Sequence, residues 1–407
     1  MSGLSREHPH RRSRWWILGN AFLVYFVAGG FVWTYIAMVA PEVQADLGIE
    51  LADWGMLWSG IALGVLALSI PAGALGDRFG TRRTVGAGLA ICGAALLVRA
   101  AAGGFSTMFL SMVLLGCGYA FVFTIVPKTI GSWFPPEQLG MAMGFSFAGL
   151  GLGQGVAALT TSRIVARLGS WRELTEVLGY ITIALALYWV LAVRDVSRPG
   201  QGTTPEQERT PPPMRRVLRL REVWLIALCY LFYLGGHLGA VSYLPTYFRT
   251  VQGMSPELTG FIIALGPWCF VVGSAIVPAL SDRLGRRKIV FISAILVIGA
   301  AIFAQAFLTG LPLAAASAIW GICAGAASLI FVVPIESARI GPVLAGTAFG
   351  AITCFGFLGG AVFPAVGLAL AEVRPIFALG FFSVCYLISA SLFAALPETG
   401  RRVKAAP

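Results

Sequence analysis

Charged side chains are scarce in this chain. Asp, Glu, Lys and Arg make up 12% of its 407 residues, and 57% are hydrophobic; soluble domains carry roughly twice that share of charge. A water-facing globular surface cannot be built from so little. Histidine is scarcer still: apart from His8 and His10 in the N-terminal tail there is only His237. The seven cysteines (Cys92, Cys117, Cys229, Cys269, Cys323, Cys354 and Cys385) are scattered through apolar runs with no C-x-x-C pair. That pattern excludes a disulfide frame or a zinc site of ordinary spacing and leaves them as small packing residues. No catalytic constellation and no soluble effector module can be assembled from this inventory, so neither an enzyme nor a signalling receptor is expected, and no cofactor or metal is implied.

What the sequence has instead is apolar runs of membrane-spanning length. Gly, Pro and charge punctuation predicts helices near 15–40, 52–76, 84–103, 107–131, 138–162 and 173–194, then 222–249, 257–281, 288–309, 311–334, 343–370 and 374–396. Most are hydrophobic all round, as membrane helices are. The basic start before Trp15 resembles a signal n-region, but the apolar stretch to Ala40 is too long for a signal h-region, and the first helix is expected to stay as an anchor. The fold class read here is an all-α integral membrane protein of about twelve transmembrane helices.

The formal net charge of +11 has a topological explanation. All but six of the 29 Lys and Arg (Arg99, Arg163, Arg167, Arg172, Arg249 and Arg374) fall on one side of the predicted spans. By the positive-inside rule that side is cytoplasmic and holds both termini, so nucleic acid is not an expected partner. A bacterial inner membrane and a monomer surrounded by lipid are expected. Residues 195–221 form the only long polar stretch, rich in Pro, Gln, Thr and Arg; such a composition cannot bury a core and suits a cytoplasmic linker. The expected organisation is a tail (1–14), a six-helix bundle (15–194), the linker, a second six-helix bundle (222–396) and a tail (397–407).

The halves repeat. Gly73-Ala-Leu-Gly-Asp77-Arg78-Phe-Gly80-Thr-Arg82-Arg83 follows the second helix, and Pro278-Ala-Leu-Ser-Asp282-Arg283-Leu-Gly285-Arg286-Arg287-Lys288 follows the eighth. Gly140-Met-Ala-Met-Gly144 returns as Gly346-Thr-Ala-Phe-Gly350, and Val126-Pro127 as Val333-Pro334, at offsets of 205 to 207. Three matches in one order at nearly one offset imply two pseudo-symmetric bundles. The loop at 73–83 resembles the signature loop of the major facilitator superfamily, and helix count, central linker and the Pro397-Glu398-Thr399-Gly400-Arg401 ending agree with it along the whole chain. Thr81 and Pro278 depart from the usual pattern. The resemblance implies a conformational switch formed by Gly73, Asp77, Arg78 and Gly80, with Asp282, Arg283 and Gly285 as the second copy. Gly73 would let helices approach and Gly80 would permit a tight turn. Asp77 would face the N-terminal dipole of helix eleven, which begins after Pro342, and Asp282 would face the start of helix five near Gln138.

The resemblance also implies rocker-switch alternating access around a midplane cavity lined by helices one, four, seven and ten. Polar groups at that depth are functional candidates because desolvating them is costly. They include Trp33 and Tyr35 in helix one, Gln154 in the glycine-rich helix five, and Tyr233 and His237 in helix seven. Tyr119, Phe121, Phe123 and Thr124 in helix four read more readily as packing. Lys128 and Glu336 occupy near-equivalent places after Pro127 and Pro334, with Arg339 one turn on; an ion pair there could gate the cytoplasmic side, or both could snorkel to the interface. None of the eighteen carboxylates lies at midplane, so a coupling proton would need His237 or Glu336, and uniport or exchange against a counter-ion stays open.

The stretch from Val126 through Gly151 is similar to anion-carrying branches of the superfamily, such as nitrate/nitrite and cyanate porters. Nitrate itself is disfavoured, because 52–76 and 257–281 contain no Arg or Lys and Leu152 stands where that branch has asparagine. A small or organic anion is the first expectation, with Lys128 as its cation. Efflux of hydrophobic compounds comes second, with Met112 standing where related drug antiporters have an arginine, and a sugar porter third.

Overall fold

The computed structural model describes residues 11–134, 136–193, 219–337 and 339–399. The expected linker falls mostly outside these, as do the end of the C-terminal tail and the side chains of Asp77 and residues 341–347. Among the described residues twelve helices are long and apolar enough to cross a membrane. They are α1 (Arg14–Met38), α2 (Leu51–Gly76), α3 (Thr81–Ala100), α4 (Phe105–Trp133), α5 (Met141–Leu168) and α6 (Trp171–Ala192), then α7 (Arg221–Thr250), α8 (Pro256–Leu284), α9 (Arg287–Ala304), α10 (Gly310–Pro334), α11 (Ala348–Val373) and α12 (Pro375–Ala394). Local chemistry sets their ends. Ser255 caps α8, its Oγ accepting from Leu258 N at 3.2 Å, and Gly285 stops it in the left-handed region at φ 62°, where a residue without Cβ carries no strain. Gly80, at φ 83°, turns the chain from α2 into α3.

Packing obeys the repeat. α1 lies on α5 as α7 lies on α11, α2 on α4 as α8 on α10, and α3 on α6 as α9 on α12. The result is two pseudo-symmetric six-helix bundles meeting along two equivalent seams, α2 with α11 and α8 with α5. The glycines of α5 are divided between these roles. A Cβ on Gly149 or Gly153 would stand 2.5 or 2.1 Å from the carbonyls of Phe22 and Phe26 on α1, whereas one on Gly151 or Gly155 would strike Pro267 O or the Trp268 ring on α8. Spacing of four residues puts each pair on one face, so the same helix is clamped to its own bundle and to the other.

Among the described residues the seams are tight at one end. Near the face opposite the start of α1, Gly55 meets the Pro364 backbone, and Gly260, 205 residues later, meets the Ala158 carbonyl. Toward the terminal face, a Cβ on Gly144 or Gly350 would touch nothing within 4 Å, and Ile70 of α2 is 86% exposed. Among the described residues the bundles are therefore closed at the distal face and lie apart at the terminal face. Two helices beside the gap are irregular: α1 winds as a π-helix over Tyr25–Phe31 and α10 as a 3₁₀ turn over Gly325–Ser328. Tyr119 of α4 donates to the Ala28 carbonyl at 2.8 Å, giving the π segment a polar partner.

Candidate functional site

Between the bundles lies a cavity of about 320 Å³. α1 contributes Trp33 and Thr34, α5 Leu150 and Gln154, α7 Tyr230, Tyr233, His237 and Val241, and α8 and α10 close it with Pro267, Phe270 and Trp320 among others. Irregular backbone in membrane proteins is tolerated where it borders such a cavity, and the 3₁₀ turn of α10 meets it at Ala327. His237 is held by α7, whose Gly235, Gly236 and Gly239 sit against α11 and α12. Its ring lies parallel to Tyr233 at 6.2 Å and tilted against Trp320 at 5.6 Å between centroids. Nδ1 is buried and has no hydrogen-bond partner. Among the described residues no Asp, Glu, Lys or Arg lines the cavity.

Four predicted site residues, Trp33, Gln154, Tyr233 and His237, therefore meet in one cavity. Tyr35 and Lys128 do not join them. Tyr35 is fully buried inside the first bundle, where its hydroxyl accepts from Arg99 at 3.1 Å; one residue along a helix turns the side chain about 100° away from Thr34. Lys128 is exposed beyond Pro127 on α4, and α4 does not line the cavity. The wall expected from helix four comes from α5 and α8 instead.

The distal closure has a polar latch. Arg249 at the end of α7 donates to both carboxylate oxygens of Glu42, at 2.8 and 2.7 Å, and to the Met38 carbonyl at 3.1 Å. Glu372 of α11 accepts from Ala52 N of α2 at 2.8 Å, and Trp54 Nε1 reaches the Ser242 carbonyl. All three join the two bundles.

At the terminal face the observed partners differ from the expected gate. Glu336 takes a two-pronged bond from Arg287, at 2.8 and 3.2 Å, within its own bundle, and Arg339 lies 3.7 Å from Glu222. Asp282, expected to face the start of α5, sits on Arg287 at 2.5 Å with its side chain 60% exposed. Among the described residues, these ion pairs at the terminal face join groups of the same bundle. Glu398 accepts from the backbone nitrogens of Arg287 and Lys288, capping α9. Arg78 lies over the Phe79 ring, and Arg283 is exposed. The glycine of close approach is Gly76, whose Cβ would stand 2.4 Å from Ile125 Cδ1; Gly73 has room, with Thr124 at 3.9 Å.

Residues 21–364 match the family model described as Major Facilitator Superfamily. The chain belongs to that superfamily. Among the relatives of this member is a protein named "Probable sulfoacetate transporter SauU" in Cupriavidus necator, 25% identical over 68% of this chain and 66% of that one. A "Probable nitrate/nitrite antiporter NarK1" of Thermus thermophilus is 26% identical over 71% and 65%, and the hexuronate transporter of Bacillus subtilis 23% identical over 68% and 67%. Each match spans about two thirds of the relative's length. A crystal structure of a bacterial homologue of the human lysosomal transporter Spinster, inward-facing and occupied, superposes with a TM-score of 0.73 at 17% identity, covering 95% of this chain and 96% of that one. The likeness fixes the fold.

Two features escaped the sequence. Arg287 sits in a basic loop run that reads as topological anchoring, yet it joins α8, α9 and α10 through Asp282 and Glu336. The latch between Glu42 and Arg249 links residues 207 positions apart, and no local pattern marks either one.

Proposed function

We propose that the protein is a secondary transporter that carries a small organic anion across a bacterial inner membrane by rocker-switch alternating access. In this reading residues 15–194 and 222–396 are the moving bodies, 195–221 is a cytoplasmic linker, and both termini are cytoplasmic, which the distribution of Lys and Arg supports. The observation that carries the reading is the one-sided closure: backbone-tight seams and an Arg249–Glu42 latch at the distal face, splayed seams at the terminal face, and a substrate-sized cavity between. Trp33, Gln154, Tyr233 and His237 are its binding residues, and the Asp77 and Asp282 loops re-form contacts with α11 and α5 when the terminal face closes. The transporters for sulfoacetate, nitrate/nitrite and hexuronate among its relatives support an anion.

The aromatic walls favour one competing cargo, a hydrophobic compound exported from the cell. Counterflow separates the two. Proteoliposomes preloaded with unlabelled benzoate or glucuronate are expected to accumulate the labelled acid transiently, and vesicles preloaded with a cationic dye are not. Dye counterflow with no acid counterflow would reverse the choice.

A further inference from the structure

The cavity provides no permanent positive charge, and that limits what an anion carrier can hold there. An anion moved from water into an apolar site without a compensating charge is strongly disfavoured, so a substrate anion needs a cation within reach. The walls supply Trp33, Thr34, Gln154, two tyrosines and Trp320, none of them charged, together with one imidazole. The groups packed around that imidazole leave it without a rival. Tyr233 stacks on it, Trp320 lies tilted against it, Tyr386 of α12 lies edge-on to Tyr233, and Tyr230 stacks on Tyr233. These titratable neighbours are phenols, which carry no positive charge in either protonation state. The parts of α1, α5, α8 and α10 that line the cavity present no carboxylate, lysine or arginine. His237 meanwhile keeps Nδ1 buried and unpaired, although a buried polar atom ordinarily has a partner.

We infer that the cavity takes a singly charged organic acid, a monocarboxylate or monosulfonate with an apolar or aromatic body, together with one proton held on His237. This rests on the transporter reading and narrows it. One neutralisable positive charge admits one negative charge; a dianion would leave a full charge unpaired. The imidazole gains its proton from the water that enters through the splayed terminal face, the acid head lies against the imidazolium, and the ring planes of Trp33, Tyr233 and Trp320 cover the body. After the bundles rock, proton and anion leave on the other side, so the cycle moves no net charge. The ligand and the proton each favour the other's binding by the same factor, as linkage demands.

The test uses the full-length protein, with fluorescence of the cavity tryptophans Trp33 and Trp320 reporting binding. Benzoate is the probe monoanion and sulfoacetate the probe dianion. Benzoate affinity is expected to rise about tenfold for each pH unit lowered while the free imidazole is neutral, and binding in weakly buffered solution is expected to take up about one proton per protein. Sulfoacetate is expected to bind at least tenfold more weakly than benzoate at pH 6. In His237→Gln, which keeps hydrogen bonding without a titrating group, both proton uptake and the pH slope are expected to vanish. The wild-type proton uptake stands as a readout on its own should that variant fail to fold. Benzoate affinity flat from pH 5.5 to 8, failure of benzoate to bind at pH 5.5, or tighter binding of sulfoacetate than of benzoate would each overturn the inference. Counterflow needs no net proton movement, so pH-independent binding with intact counterflow overturns the proton site alone, and proton-linked binding without counterflow overturns transport alone.

Discussion

Arg99 places a guanidinium inside the first bundle with none of its surface exposed. Its contacts are Tyr35 Oη at 3.1 Å, Ser111 Oγ at 3.4 Å and Met112 Sδ at 3.1 Å, and among the described residues no carboxylate lies within ion-pair distance of it. From the sequence it reads as one of the few basic residues at the outer end of helix three. The difference arises because helical Cα–Cβ bonds tilt toward the N-terminus, so a residue at the last turn of α3 turns its long side chain back into the bundle. Tyr35 is then a structural partner of Arg99. Tyr35→Phe removes the one full oxygen acceptor of that guanidinium nitrogen at no cost in volume, and a buried donor left unmade costs about 1–3 kcal/mol. Thermal unfolding in detergent is expected to show that loss, with benzoate affinity unchanged in the folded protein. A Tyr35→Phe variant that keeps its stability but loses affinity would move Tyr35 back to the cavity.

At the scale of helices much was legible. Composition and hydropathy predict twelve spans, and the α2–α3 and α8–α9 loops betray the repeat, because span length and loop chemistry are local properties. The glycines of α5 from Gly149 to Gly155 lie at close helix approaches. Which neighbour each one meets was invisible, since Gly149, Gly151, Gly153 and Gly155 look alike in sequence and differ only in the face they occupy. The family resemblance put helix four in the cavity wall, and which helices line it turns on helix rotation, whose periodicity apolar residues all round a membrane helix erase. The two glycine faces predict different phenotypes. Gly153→Ala would drive a Cβ to 2.1 Å from Phe26 O within one bundle, which should lower thermal stability by about 1–3 kcal/mol, the range for overpacking. Gly144→Ala meets open space and should leave stability of this state unchanged, while slowing counterflow if the terminal seam must close over it. Equal loss of stability in both variants would remove the distinction between intrabundle and seam glycines.

The whole molecule is a balance between two closures, and the distal one is the closure this structure contains. Its components lie far apart in sequence but work on one hinge: Gly55 and Gly260 bring backbone to backbone along the two seams, and Arg249 straps the end of α7 to Glu42 beyond the end of α1. Glu42 has 38% of its side-chain surface exposed, so water screens the pair and its worth is modest, about 1 kcal/mol. That is still roughly fivefold in a population ratio, enough to register when two states are nearly balanced. Arg249→Gln should therefore raise the fraction open at the distal face about fivefold. The reporter is a cysteine at Val241, on the cavity wall, placed in a background lacking the seven native cysteines and labelled with a membrane-impermeant maleimide from the distal side. Its labelling rate should rise in Arg249→Gln and in Glu42→Gln by similar factors, since each removes the same bond. The charge-swapped double variant, Glu42→Arg with Arg249→Glu, should bring the rate back toward the starting value. Unchanged labelling in both single variants would mean that the glycine seams alone hold the distal face shut, and Gly260→Val, which forces a side chain against Ala158 O, would then be the substitution that opens it.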